Sequence, residues 1–192
     1  MKLKKIYIDP VFHDLLNNFR FFFVGINMMS MPDFQKALIN GHKGEKSELE
    51  ISVQCNDLKC VQYDVKDVLD SFNQEVGLNI EGDKVTADIK KLMNFQARQI
   101  AVSLFDILRY SDFSSFISQT DIFKFAKHIR NGAAHNNKFN FDEKAKSELP
   151  VLWKNKTIES NLHGNEVFNK FLSPADLVLL ISDISEIIKN RK

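Results

Sequence analysis

Cysteine is scarce in this chain: of 192 residues, Cys55 and Cys60 alone carry a thiol. They stand five apart, with no second cysteine pair and no histidine pair at zinc-ligand spacing. That excludes the common structural zinc motifs and leaves two ordinary thiols of a reducing compartment. The opening residues, Met1 to Pro10, are basic but hold no apolar run, so a signal peptide is not expected. The most apolar early stretch, Phe19 to Met31, contains Arg20 and is too short to span a bilayer. No membrane segment follows from it, and a cytoplasmic protein is expected. Charge of one sign is missing too: 26 Lys and Arg stand against 25 Asp and Glu. A global basic field for tight duplex binding is thereby excluded, and any nucleic-acid contact must use a local patch. There is no internal repeat or low-complexity segment, and the acids form no metal-binding constellation, so neither metal nor cofactor is expected.

What the chain has is apolar bulk, 44% hydrophobic with 17 Phe. A globular single domain over 1–192 is expected. Asp9-Pro10 reads as a helix N-cap followed by proline at the first helical position. Behind it Leu15, Leu16, Phe19, Phe22, Phe23, Ile26 and Met29 predict a first helix to about Ser30, with its Phe residues in the core. Ser30, Pro32 and Asp33 open a short helix that Gly41 to Gly44 breaks. Ser47 to Asn56 is ambiguous, alternating like a strand but with acids that suit a helix start. Leu58, Val61, Val65, Val68, Leu69, Phe72 and Val76 predict an amphipathic helix ending at Gly77, then a loop to Asp83. A long helix is expected from Val85 through Ile89, Leu92, Ala97, Ile100 and Leu104 to Leu108, interrupted at Ser111 to Ser115. Thr120 and Asp121 cap the next helix, which should fray near Asn136 and Asn137. After Pro150, Val151-Leu152-Trp153, Thr157-Ile158 and Val167-Phe168 read as a short β-hairpin. Ser173-Pro174-Ala175-Asp176 then caps a last helix. The expected fold is mainly α, an antiparallel helical bundle of four to five long helices with a hairpin appendage at about 151–169 before the C-terminal helix.

One stretch concentrates unusual chemistry. From Ile122 to Phe141 there is no Asp or Glu, while Lys124, Lys127, His128, Arg130, His135 and Lys138 lie within it. At about 100° per residue, Ile122, Phe125, Ala126, Ile129 and Ala133 share an apolar sector that should face a core. Lys124, Lys127, His128, Asn131, Ala134 and His135 fall on the opposite side, with Arg130 at its margin. The polar residues are therefore expected outside the protomer's own core. Gly132, Ala133 and Ala134 are small enough to let another helix approach closely.

Arg130-Asn131-Gly132-Ala133-Ala134-His135 resembles the signature of the HEPN superfamily in its Arg-Asn-x-x-x-His form. Its place late in a helical pattern, near the end of a capped helix, matches the family's. The tail from Trp153 to Ile158, Gly164 to Val167 and Leu172 to Leu177 is similar to the hairpin and last helix of some bacterial HEPN proteins. The resemblance covers roughly the last hundred residues; before that it is only helical. It implies a helical-bundle domain, a homodimer, and a metal-independent endoribonuclease of a toxin–antitoxin or phage-defence system, with an antitoxin or other defence protein as partner.

The residue types suit that chemistry. RNA is cut without metal when its own 2′-hydroxyl attacks the adjacent phosphorus, which needs a proton-transfer group near neutral pH and a fixed cation for the phosphorane charge. His135 fits the first role and Arg130, with its phosphate-matching guanidinium, the second. Asn131, four residues before His135, can orient its ring or contact phosphate. Arg130 and His135 lie about 140° apart on an ideal helix, so one protomer converges them poorly. In the resembling families a two-fold dimer joins both motifs in one cleft. Lys124, Lys127, His128, Asn136 and Lys138 are candidates for flanking phosphates, and Phe139 or Phe141 for stacking a base. Some HEPN toxins carry a modifiable tyrosine two residues beyond the motif histidine; here Asn137 stands there. Two plainer readings stand beside this one. His135 can be a helix C-terminal histidine favoured by the dipole, with Arg130 an ordinary surface residue. Alternatively, the bundle can bind RNA, nucleotide or a partner protein without cutting.

Overall fold

In the computed structural model, which describes residues 6–28, 31–42, 48–51, 61–64, 78–81 and 84–191, the chain is mainly helical. In chain order the described elements are α1 (His13–Met28), α2 (Pro32–His42), β1 (Glu48–Ile51), β2 (Val61–Asp64), β3 (Leu78–Glu81) and β4 (Lys84–Ala87). Then come α3 (Ile89–Tyr110), α4 (Ser114–Ile117), α5 (Asp121–Ala134), α6 (Glu143–Lys146), β5 (Val151–Trp153), β6 (Lys156–Ile158) and α7 (Pro174–Lys189). Packing divides the chain into two compact units, Met1–Arg20 with Gln96–Lys192, and Phe21–Phe95. Among the described residues no helix is long and apolar enough to cross a membrane.

The first unit holds one apolar core. Phe12, Leu15 and Leu16 from the chain start, Leu104 and Leu108 of α3, Phe125 and Ile129 of α5, and Leu180, Ile181 and Ile184 of α7 all belong to it. The chain start and helices α5 and α7 enter through caps written in the sequence. The Asp9 carboxylate accepts from the Val11 amide at 3.2 Å, and Pro10 opens a single 3-10 turn before α1. Thr120 Oγ1 accepts from Phe123 N at 3.3 Å ahead of α5. Ser173 and Asp176 form a reciprocal capping box ahead of α7, with bonds of 3.2 and 2.8 Å. The expected hairpin is present as β5 and β6, an antiparallel pair joining Val151 to Ile158 and Trp153 to Lys156. Strand alternation turns Val151 and Trp153 inward and Leu152 outward. The Trp153 indole donates to Asp183 of α7 at 2.9 Å, so its polar edge is met as well. Val167 and Phe168, read as a third hairpin segment, are buried but form no such strand; Phe168 makes only an isolated bridge with Leu172.

The second unit corrects the sequence reading. The ambiguous segment is strand at β1, paired antiparallel with β2. Val61 to Asp64 was expected within an amphipathic helix; the remainder of that expected helix, with Cys55 and Cys60, lies outside the described residues. Leu78 to Glu81, expected as loop, pairs with Lys84 to Ala87, whose Val85 was assigned to the long helix. Strands this short hide easily: over four residues, apolar positions fit a period of two as well as one of 3.6, and Gly77 and Gly82 beside β3 read as loop. The β3–β4 register sets Leu78 opposite Ala87, Ile80 opposite Val85 and Glu81 opposite Lys84, pairing apolar with apolar and acid with base. Asp88 then caps α3, its carboxylate accepting from Lys91 N at 3.1 Å, so the helix begins at Ile89.

Gly132 explains how α5 sits in the first unit. A Cβ built there would overlap Val167 Cγ2 and lie 3.4 Å from the Lys138 carbonyl oxygen. Gly132 thus admits the chain's own segment; Ala133 is buried as well, and Ala134 is exposed. We expect Gly132→Ala to destabilise the protein by about 1–3 kcal/mol through overpacking, despite alanine's higher helix propensity. Val167→Ala should relieve that clash, so urea melts of the double variant should show less than the sum of the single losses. Simple additivity would mean that Gly132 and Val167 do not compete for one space.

Candidate functional site

The site lies at the C-terminal end of α5. His135 is the residue at which the helix stops (φ −93°, ψ 59°), and its amide still donates to Asn131 O at 3.0 Å. Its Cα therefore keeps its helical place while the chain beyond turns away, and the wide angle to Arg130 persists. Asn136 and Asn137 follow at φ 53° and 62°, the left-handed region that asparagine tolerates best after glycine. Asn137 uses both ends of its amide, donating to Phe168 O and accepting from Phe168 N, each at 2.9 Å. Val167 N donates to Asn137 O at 2.9 Å, and Phe139 N to Asn165 O at 2.9 Å. A helix end that would otherwise fray is thus held by the segment leading to α7.

Within this frame Arg130 is half-buried. Its Nε is shielded from water without a hydrogen-bond partner among the described residues, and its Nη1 stands 3.5 Å from Asn131 Oδ1. Asn131 thus meets Arg130 through its side chain and His135 through its backbone carbonyl. The His135 ring is exposed. A residue that sequence spacing could not point to also arrives here. Arg98 of α3 donates from Nε to Ala133 O at 3.0 Å, covering a carbonyl of the last helical turn and placing a cation at the negative end of the helix.

The flanking residues divide. Lys138 and Asn136 are exposed beside His135. Lys124 reaches Asp121 at 3.1 Å on the surface, a pairing worth little in water. Lys127 is held more firmly, donating to both Glu148 oxygens at 2.6 and 2.9 Å. His128 does not lie on the outward face as expected. It is 1% exposed, edge-on to the Phe141 ring, with Nε2 3.5 Å from Glu148 Oε2 and, among the described residues, no hydrogen bond to either ring nitrogen. Phe139 and Phe141, candidates for base stacking, are likewise core residues at 1% and 4% exposure. One physical reason covers all three: the chain after α5 folds back over the helix, so the face opposite the main core is covered in its turn. His163, assigned no partner from sequence, accepts the Phe141 amide at its Nδ1 at 3.1 Å. Among the described residues no cluster of three or more His, Cys, Asp or Glu side chains is placed to hold a metal ion. Compared with family models, curated proteins and solved structures, the chain matches none.

Burial lowers the pKa of His128 below its usual 6.5; Lys127 adds to the effect, while Glu148 and Asp142 oppose it. The unfolded chain then binds the proton more tightly than the folded one. Stability contributed by neutral His128 is complete above about pH 6.5 and declines as pH falls toward the folded value. His128→Leu, which replaces two unpartnered nitrogens with apolar atoms, should stay within about 1 kcal/mol of wild type at pH 7.5. It should also lose less melting temperature than wild type between pH 7.5 and 5.5. Identical pH profiles for the two proteins would show that His128 does not carry this dependence.

Proposed function

We propose that this chain is a metal-independent endoribonuclease of HEPN type that cleaves single-stranded RNA. The observation that carries the reading is a half-buried Arg130 guanidinium, with no carboxylate paired to it among the described residues, on the same helix end as the exposed imidazole of His135. A guanidinium removed from water without a counter-charge favours an incoming anion, and phosphate matches its planar fork. In the proposed reaction the substrate's 2′-oxygen bonds to phosphorus as the 5′-oxygen leaves. The products are a 2′,3′-cyclic phosphate and a 5′-hydroxyl. His135 takes the 2′-proton or delivers one to the departing oxygen, and Arg130 neutralises charge building on the phosphoryl oxygens. Asn131 keeps the guanidinium in place through its amide oxygen.

Two proton transfers on opposite sides of phosphorus exceed what one His135 provides in a single step. In this reading the working unit is therefore a homodimer whose two helix ends form one cleft. Lys138, Asn136 and Lys124 supply flanking phosphate contacts, whereas Lys127 is engaged by Glu148 and His128 lies inside. The same reading takes residues 1–192 as one HEPN-like domain, an antiparallel bundle of four to five long helices with the hairpin appended. The protein would act in the cytoplasm, in a toxin–antitoxin or phage-defence system with an antitoxin or other defence protein as partner.

Purified protein should cut labelled single-stranded RNA in EDTA and leave 2′,3′-cyclic phosphate ends. Arg130→Ala and His135→Ala should each lower the rate by about 100-fold or more. Cleavage that survives both substitutions sinks the assignment. RNA or partner binding by a wild type that never cuts would instead identify a non-catalytic binding bundle.

A further inference from the structure

Arg20, Arg109 and Arg191 are exposed, as arginines usually are, whereas Arg98 and Arg130 are both half-buried. Both are tied to the last turns of α5, Arg130 as a residue of that helix and Arg98 through its bond to Ala133 O. Three partly covered lysines of the same unit are matched with acids: Lys127 with Glu148, Lys154 with Asp183, Lys156 with Asp176. Among the described residues no such acid stands within ion-pair distance of Arg98 or Arg130. Two cations partly removed from water on the last turns of one helix, without counter-charge, leave an electrostatic cost that a bound anion relieves.

The geometry of Arg98 adds direction. Its hydrogen bond to Ala133 O uses Nε alone, and its two Nη groups make no hydrogen bond among the described residues. A guanidinium is a rigid plane, so anchoring one N–H on a backbone carbonyl restricts where the rest of the fork can lie. The carbonyl that fixes it lies two residues before His135. We propose that Arg98 is a second phosphate-binding guanidinium of this site, its Nε capping α5 while its Nη groups grip a phosphodiester adjacent to the one held by Arg130. The proposal rests on the ribonuclease reading above and adds to it a residue outside the motif, brought in by α3. The competing role for Arg98 is that of a helix cap and nothing more.

Binding of a 2′-O-methyl single-stranded oligonucleotide, which cannot be cut, separates the two roles when followed by fluorescence anisotropy across a salt series. Arg98→Gln should weaken binding by about tenfold and reduce the slope of log affinity against log salt by about 0.7, the share of one phosphate contact on a single strand. Arg98→Lys should melt near wild type yet still bind severalfold more weakly, because an ammonium cannot cap the helix and span a phosphate together. Should Arg98→Gln fail to fold, Arg98→Lys decides by the same affinity criterion. If both variants keep wild-type affinity and salt slope while Arg130→Gln loses binding, Arg98 is a cap only and the proposal falls while the site stands. If wild type does not bind, or Arg130→Gln binds as wild type does, the ribonuclease reading falls and takes the Arg98 proposal with it.

Discussion

An α-helix cannot pair the carbonyls of its own last turn, and a helix that stops against a core needs those groups met from elsewhere. For α5 the partners come from two directions. Arg98 covers Ala133 O from α3, and the strand-like run from Asn137 to Phe139 lies along Asn165 to Phe168 through main-chain and amide hydrogen bonds. The two left-handed asparagines let the chain reverse quickly enough for this docking. Gly132 completes it, since only a residue without a side chain admits Val167 so close to the helix axis. These contacts give Arg130 and His135 defined places on a terminus that would fray if left in water.

The same reversal sets the electrostatics. A stretch without a single acid in sequence acquires one in space when Glu148 closes on Lys127 and His128. Part of the local positive charge is thereby spent on structure. Among the described residues Arg130 and Arg98, both half-buried, keep no acid partner, and Lys138 is exposed. Lys127 thus holds an acid, while the two guanidiniums on the last turns of α5 do not.

His128 shows how a polar residue becomes structural. It sits edge-on to Phe141, itself packed on Phe139, so its ring serves as a flat, nearly apolar filler. Burial favours its neutral form, and the nearby carboxylate of Glu148 only partly opposes that preference. An imidazole kept neutral inside and another left exposed at the helix end have opposite parts to play. The difference arises from where each lies relative to the returning chain.

Local physics in the sequence was sufficient for much of this protein. Caps at Asp9, Thr120 and Ser173 are short-range hydrogen bonds between near neighbours, and long apolar periodicities leave one helical face to bury; both are legible residue by residue. The hairpin at β5 and β6 and the spacing of Arg130, Asn131 and His135 were legible for the same reason. Strands of four residues were not, because a pattern that short fits two periods at once. Nor was the inward place of His128, since a helix covered on a second side no longer has the single outward face that a helical wheel assumes, nor that of Phe139 and Phe141, which lie on the returning chain itself. Glu148 for Lys127, Phe168 for Asn137 and Arg98 for Ala133 stand 21, 31 and 35 positions away along the chain. No local rule connects such pairs. Sequence by itself determined which groups could do chemistry here, while packing decided which were buried, which were paired with an opposite charge and which were not, because charge and burial depend on distance in space.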